Sequence, residues 1–350
     1  MSLPPSEIPL GAMRFNSDSQ KLEYYDGAQW LQVSTFSPNL NGGARGVFGG
    51  SYSYGPSSRP TSNVIDYINI SSTGNAIDFG DLTSPRGTAQ GCSSSTRGVW
   101  MGGDTSSGPT YRTDDINYVT ISSTGNAIDF GDVSSSFVGH GSGSCSNSIK
   151  GIVGGGSYSP TITNSIHYIT ISSTGNSVDF GDLTIPRYGL ASVASPTRGV
   201  FGAGDAPATS NIIDFVTIST LGNAQDFGDQ SSPGTYSGYG ACSNPIRGLF
   251  ANAIGPTSTI NYIMIATTGN TQNFGNLTTT DSRRFMSACA SSTRGVFAGG
   301  YNNSTPTYPL DVDKVIEYVT VSTEGNAVDF GDLTVEKAMS GGCSNAHGGL

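Results

Sequence analysis

The chain has 350 residues, of which 49 are glycine and only 12% are charged, with a formal net charge of -10. The acidic balance excludes a nucleic-acid footprint and disfavours loose adsorption to anionic surfaces. With 35% hydrophobic residues, the mixture suits short strands and tight turns rather than helices, and no stretch reaches the length of a membrane helix.

Met1-Ser2-Leu3-Pro4-Pro5 lacks the basic region and apolar core of a signal peptide, so no secretion leader is expected. Residues 11–16 read as a strand, 17–20 as a turn, 21–25 as a second strand, and 30–33 as a third after the turn signal Asp26-Gly27. So small a β-meander has too little core to be secure alone. It is expected to pack on a partner, on its own copies or on the rest of the chain. Arg14, Phe15, Tyr24, Tyr25 and Trp30 are the attachment candidates. Residues 1–36 are read as one unit and 37–350 as a second.

In the second unit one phrase returns six times, first as Thr73-Gly74-Asn75-Ala76-Ile77-Asp78-Phe79-Gly80-Asp81-Leu82. Its glycines stand at 74, 125, 175, 222, 269 and 325. A period near 50 marks a repeat architecture. One repeat reads as four strands, A to D. In the second copy A covers residues 86–93, B 97–103, C 115–122 and D 127–131, with C alternating apolar and polar residues. The copies are offset: the first has B, C and D only, and a sixth strand A lies near residues 339–344. These strands predict an all-β, six-bladed β-propeller closed by its C-terminal strand, which removes exposed sheet edges.

The A–B and C–D turns are nearly constant, whereas the B–C loops differ between copies. These loops span roughly residues 52–63, 104–114, 157–165, 205–211, 253–259 and 301–314. Variable loops on a rigid scaffold are a usual seat of recognition, and Tyr with Ser, Gly and Asn is the chemistry of adaptable binding surfaces. Tyr52, Tyr54, Tyr111, Tyr158, Tyr301 and Tyr308 are therefore the ligand-binding candidates. Other recurring residues read as structural. Arg45, Arg97, Lys150, Arg198, Arg247 and Arg294 are expected to bond carbonyls of neighbouring turns, and the Asp-Phe-Gly-Asp pairs to serve strand ends rather than calcium. Cys92, Cys145, Cys242, Cys289 and Cys343 are expected as free, buried thiols. His167 occupies the place before the strand C aromatic and reads as a surface position. No catalytic motif stands out, and no catalytic residue, metal or cofactor is expected.

The glycine pairs Gly102-Gly103, Gly155-Gly156 and Gly299-Gly300, the strand C aromatics and Pro85-Arg86 and Pro186-Arg187 resemble the kelch family. The family's tryptophan is missing from strand D, so the likeness is to a divergent kelch-like propeller. It implies a fold and no particular function. Gly11, Arg14-Phe15-Asn16, Glu23, Tyr25-Asp26-Gly27 and Trp30 resemble a short module of tailed-bacteriophage fibre and virion proteins. The Ser-Ser-Thr-Gly-Asn-Ala-x-Asp-Phe-Gly-Asp phrase with Arg-Gly-Val-Phe is similar to kelch-like structural proteins of marine cyanobacterial phages. The resemblance implies a non-enzymatic virion part, a tail fibre or other appendage, located in the virion. It would oligomerise and meet other virion proteins through its N-terminal segment, and meet a host surface glycan or receptor through the B–C loops. A capsid decoration or collar protein, and a polysaccharide-acting propeller enzyme, are the alternatives. Neither nucleic-acid binding nor membrane insertion is expected.

Overall fold

A computed structural model describes residues 8–16, 21–32, 44–52, 60–106, 112–134, 141–158, 161–206, 208–231, 240–252, 258–278, 283–302 and 311–350. The chain divides into two compact units, residues 1–42 and 43–350. The expected boundary after residue 36 lies outside the described residues.

In the first unit Met13–Asn16, Lys21–Tyr25 and Trp30–Gln32 form an antiparallel meander in sequence order. Asp26 fixes the second turn by accepting bonds from the backbone N–H of Ala28 and Gln29 at 2.8 and 2.7 Å. Alternation along each strand gives two faces. On one, Glu23 is buried and accepts bonds from Arg14 Nε at 2.9 Å and Asn16 Nδ2 at 3.0 Å. The Arg14 guanidinium lies 4.1 Å above the Trp30 ring, which in turn meets Tyr25. The opposite face carries Met13, Phe15 and Tyr24, all exposed.

The second unit is all-β and propeller-like. Among the described residues it contains six four-stranded antiparallel sheets, each in the order A-B-C-D. Sheet 2 consists of Gln90–Ser93, Arg97–Met101, Asp115–Thr120 and Ile128–Asp132. Sheets 3 to 6 repeat this order, starting from Gly143–Ser146, Ala191–Ala194, Gly240–Ser243 and Ser287–Ala290. Sheet 1 takes its strand A from the far end of the chain: Gly341–Ser344 pairs with Arg45–Tyr52, which continues to Thr61–Asn69 and Ile77–Asp81. The A strands neighbour one another in the succession 2, 3, 4, 5, 6, 1, and sheet 1 neighbours sheet 2 again.

The recurring residues account for this succession, because each joins one sheet to the next. The Gly-Asn turn before strand D is an interlock. Gly125 N–H donates to Phe79 O at 2.8 Å, and Asn126 Oδ1 accepts from Asp81 N–H at 3.1 Å. The same asparagine bond recurs from Asn176, Asn223, Asn270 and Asn326, and Asn75 joins sheet 1 to Asp332 of sheet 6. The glycine after each strand B Arg or Lys leaves room for a side chain of the neighbouring sheet, a thiol in five sheets and Val193 at Gly248: a Cβ at Gly151 would sit 2.6 Å from Cys92 Sγ, and one at Gly199 2.8 Å from Cys145 Sγ. All five cysteines are free and buried, as the sequence predicts. The Arg of the same pair crosses the strand C aromatic of its own sheet and donates onward: Arg97 lies 4.6 Å from the Tyr118 centroid and bonds Ile171 O at 2.9 Å. Arg294 does the same from sheet 6 to Ile70 O of sheet 1. Tyr118 meets Phe130 edge-on at 5.8 Å, and all six sheets repeat that pair.

Candidate functional site

The B–C loops and the entries to the A strands share one end of the sheets, and there the structure separates the six candidate tyrosines. Tyr52 and Tyr301 are buried, at 6% and 8% exposure, in a small cluster with Val312, Ala338, Met339 and Phe285. Tyr301 stacks on Phe285 at 5.4 Å. These two rings pack the loop bases of sheets 1 and 6 together and show little surface. Tyr158 lies in a β-ribbon in which Ser157–Tyr158 pairs with Thr161–Ile162. Tyr54, Tyr111 and Tyr308 lie outside the described residues. Of the attachment candidates, Tyr25 is buried, Phe15 is 66% exposed, and Arg14 and Trp30 form the cation–π pair described above.

At the same end, the A strands of all six sheets frame a cavity of about 120 Å3. Its mouth is a girdle of residues placed two before strand A in sheets 1, 2, 3, 4 and 6. Thr88, Gly141, Gly189, Phe285 and Met339 all have φ between 55° and 72°, and all line the cavity. Backbone bonds run around the girdle: Thr88 N–H donates to Met339 O at 2.7 Å, and Met339 N–H to Phe285 O at 2.9 Å. Glycine adopts this left-handed conformation freely, whereas a residue with a side chain strains by roughly 1–2 kcal/mol, most of all when β-branched. Sheets 3 and 4 use glycine; the adjacent sheets 6, 1 and 2 carry Phe, Met and Thr. The mouth thus has one wall of side chains and one of bare backbone. Thr88 is 6% exposed, and its hydroxyl has no hydrogen-bond partner among the described residues; neither has the Ser192 hydroxyl below it.

Beyond this cavity, later residues of the same A strands frame a second one of about 60 Å3, which His347 also lines. Here the segment 345–350 crosses between sheets. Asn345 Oδ1 accepts from Arg45 N–H at 2.8 Å, and Gly348 N–H donates to Ser243 O at 2.8 Å. Gly349 N–H donates to His347 Nδ1 at 3.0 Å, so the proton sits on Nε2, which lies 2.8 Å from Ser93 O. Burial pushes the imidazole pKa down to about 4. Burial likewise raises the thiols around it, those of Cys145 and Cys343 to about 12.

A set of buried cations escapes sequence reasoning. Four residues before strand A, Arg86, Arg187, Arg283 and Lys337 reach beneath the B–C loops, fully covered. Arg187 bonds Ala203 O and pairs with Asp214 at 2.5 Å; Arg283 pairs with Glu317 at 2.6 Å and Lys337 with Asp66 at 3.1 Å. Arg86 bonds Asn117 Oδ1 at 3.0 Å and Asp115 at 3.3 Å. Burial lowers the Lys337 pKa, opposed by the Asp66 charge. The acids occupy the position that His167 holds in sheet 3. His167 is itself buried at 7% exposure, which overturns its surface reading; in sheet 4 the same position, Asp214, is covered by Thr184 and Arg187. The signal was present, since Pro-Arg at 85–86 and 186–187 accompanies a polar residue before each strand C aromatic. Nearby, the carboxylates of Asp114, Asp115 and Asp132 converge within 4.8 Å, with Asp115 already engaged by Arg86.

No protein-family model matches the chain, and no curated protein matches it.

Proposed function

We propose that this chain is a non-enzymatic structural part of a tailed-bacteriophage virion, a tail fibre or other appendage. In this reading the six sheets are the blades of a closed, kelch-like propeller, supported by the return of every interlock from sheet 6 to sheet 1. The meander attaches the chain to other virion proteins, and the end bearing the variable loops meets a glycan of the host surface. The observation that carries this division of labour is where the repeated residues are spent. The Gly-Asn, Asp-Phe-Gly, Arg-Gly and Cys positions are consumed in joining sheets. What differs between copies gathers at the end with the cavity mouth. Variable surface on a rigid frame suits recognition. The exposed Met13, Phe15 and Tyr24 supply an apolar patch suited to a protein seat.

The test is binding of the labelled full chain to intact marine cyanobacterial cells, before and after periodate oxidation of their glycans. Saturable, periodate-sensitive binding is expected. Binding to none of a broad panel of strains, or binding indifferent to periodate, contradicts the recognition half. The attachment half requires that a chain lacking residues 1–36 fail to enter particles.

A further inference from the structure

We infer that the side chains of Lys337 and Asp66 condense to a covalent amide, which rivets the last D–A connection, and the C-terminal strand after it, to sheet 1. The bond belongs to the scaffold and is independent of what the loop end binds.

Chain connectivity singles out this place. In sheets 2 to 6 a tight turn joins strand A to strand B of the same sheet. Sheet 1 has no such turn: its strand A, Gly341–Ser344, meets Arg45–Tyr52 only by pairing. Lys337 stands just before that strand. Its backbone is anchored at the loop base of sheet 6, where its N–H donates to Asp313 O at 3.2 Å and its O accepts from Gly300 N–H at 2.7 Å. Its side chain crosses to sheet 1. There Nζ donates to Val64 O at 2.9 Å and Phe48 O at 3.4 Å, and lies 3.1 Å from Asp66 Oδ2. An amide between the two side chains supplies a covalent link in the one sheet that lacks an A–B turn.

The pair differs from its equivalents in both residue type and geometry. Sheets 4 and 6 place Arg187 and Arg283 here, and each donates a hydrogen bond to its acid. A guanidinium keeps its charge and is no nucleophile, whereas a buried lysine sheds its proton readily and becomes one. Asp66 Oδ2, although so near Nζ, accepts no hydrogen bond among the described residues. Two N–H groups of Nζ are taken by the Val64 and Phe48 carbonyls, which leaves its third substituent direction, the lone pair of the neutral amine, for the carboxyl group. Separations of about 3–3.5 Å are those of groups poised to react. Asp66 Oδ1 accepts from Thr334 Oγ1 at 2.5 Å, a donor placed to hold the charge that gathers on that oxygen as Cγ turns tetrahedral. Both side chains are fully covered. An ion pair is costly to keep in such surroundings, and conversion to an uncharged amide removes that cost. Burial lowers the Lys337 pKa and so favours the amine, against the opposing charges of Asp66, Asp78 and Asp81.

The step balances without a co-reactant. The Lys337 ammonium passes one proton to the Asp66 carboxylate, and Nζ attacks Cγ to form the C–N bond. The Cγ–Oδ2 bond then breaks, and Oδ2 leaves as water with a second proton from Nζ. Oδ1 remains as the amide oxygen beneath Thr334. The cross-link restricts the unfolded chain and keeps the C-terminal strand beside its partner.

The experiment is intact-mass spectrometry of the full chain, incubated folded at pH 7 and then unfolded under reducing conditions, followed by peptide mapping. The major species is expected to be lighter than its sequence by one water and to yield a branched peptide joining residue 66 to residue 337. Lys337→Arg, which copies Arg187 against Asp214, should regain the water and release two separate peptides. A parent of full mass with residues 66 and 337 on separate peptides overturns the inference. So does a water deficit that persists in Lys337→Arg, which marks a cyclised aspartate instead. The branched peptide of the parent decides the matter whether or not the variant folds.

Discussion

Acidification should loosen the segment that crosses the far end of the cavities, and His347 sets where. Its ring is satisfied only when neutral. Nδ1 accepts from Gly349 N–H at 3.0 Å, and protonating Nδ1 replaces that acceptor with a donor facing a donor. The residues framing the surrounding cavity are Ser, Gly, Ala, Val and Cys, with no carboxylate to stabilise an imidazolium among the described ones. The folded pKa, about 4, lies below the ordinary histidine value near 6.5, so the unfolded chain takes up the proton first. Stability from this group is therefore complete above about pH 6.5, declines as the pH falls, and levels off below about 4. The interval corresponds to at most about 3 kcal/mol, and the partial exposure of the ring lowers that ceiling. Urea unfolding followed by Trp100 fluorescence at pH 7 and pH 4, for the parent and His347→Gln, isolates the contribution, because the carboxylates and the other histidines titrate in both chains. The parent should lose about 1–3 kcal/mol more than the variant on going to pH 4. Equal losses would refute the assignment of a neutral His347.

Three other expectations follow from the packing. Asp214→Ala strands the fully buried Arg187 guanidinium and should cost about 3–5 kcal/mol in chemical denaturation; the double change Arg187→Tyr with Asp214→Asn, which copies the residues at the corresponding sequence positions of the next repeat, 236 and 261, should cost less than the single change. The thiols of Cys145, Cys242 and Cys343, raised to about 12 by burial, should not react with a thiol-specific disulfide reagent at pH 8 until urea unfolds the chain. Deleting residues 341–350 removes strand A of sheet 1 and the Gly341 carbonyl that accepts from Trp100 Nε1 at 2.9 Å; Trp100 emission should shift to the red, and an unshifted spectrum would show that the C-terminal strand does not seal this junction.

Much of the scaffold is legible in the sequence because it is periodic. Asn126, Arg97 and Cys92 each act through the neighbouring copy of the repeat, and six offset copies oblige Gly341–Ser344 to complete the sheet begun by Arg45–Tyr52. Residues whose partners belong to irregular segments are harder to read. The burial of Asp214 depends on Thr184 and Arg187 of the D–A connection, and no local alternation reveals that. Thr88, Phe285 and Met339 are poor candidates for left-handed backbone by residue type; only their register with Gly141 and Gly189 points to it. Tyr52 and Tyr301 look like loop residues in sequence, yet they pack on Met339 and Phe285 because the loop bases of sheets 1 and 6 adjoin. His347 follows Cys343-Ser344-Asn345, which repeats the Cys-Ser-Asn of 145–147 and 242–244, but it stands one place short of the Lys150 and Arg247 positions, so the repeat does not foretell its role.

The position of this chain within an intact particle tests the proposed role most directly. Cryo-electron microscopy of the virions is expected to show the six-sheet unit on a tail or other appendage, with the cavity mouth, bordered by Thr88, Phe285 and Met339, turned outward to solvent. Density for the unit in the capsid shell or neck with that mouth buried against other virion proteins, or virions that lack the chain altogether, would contradict it.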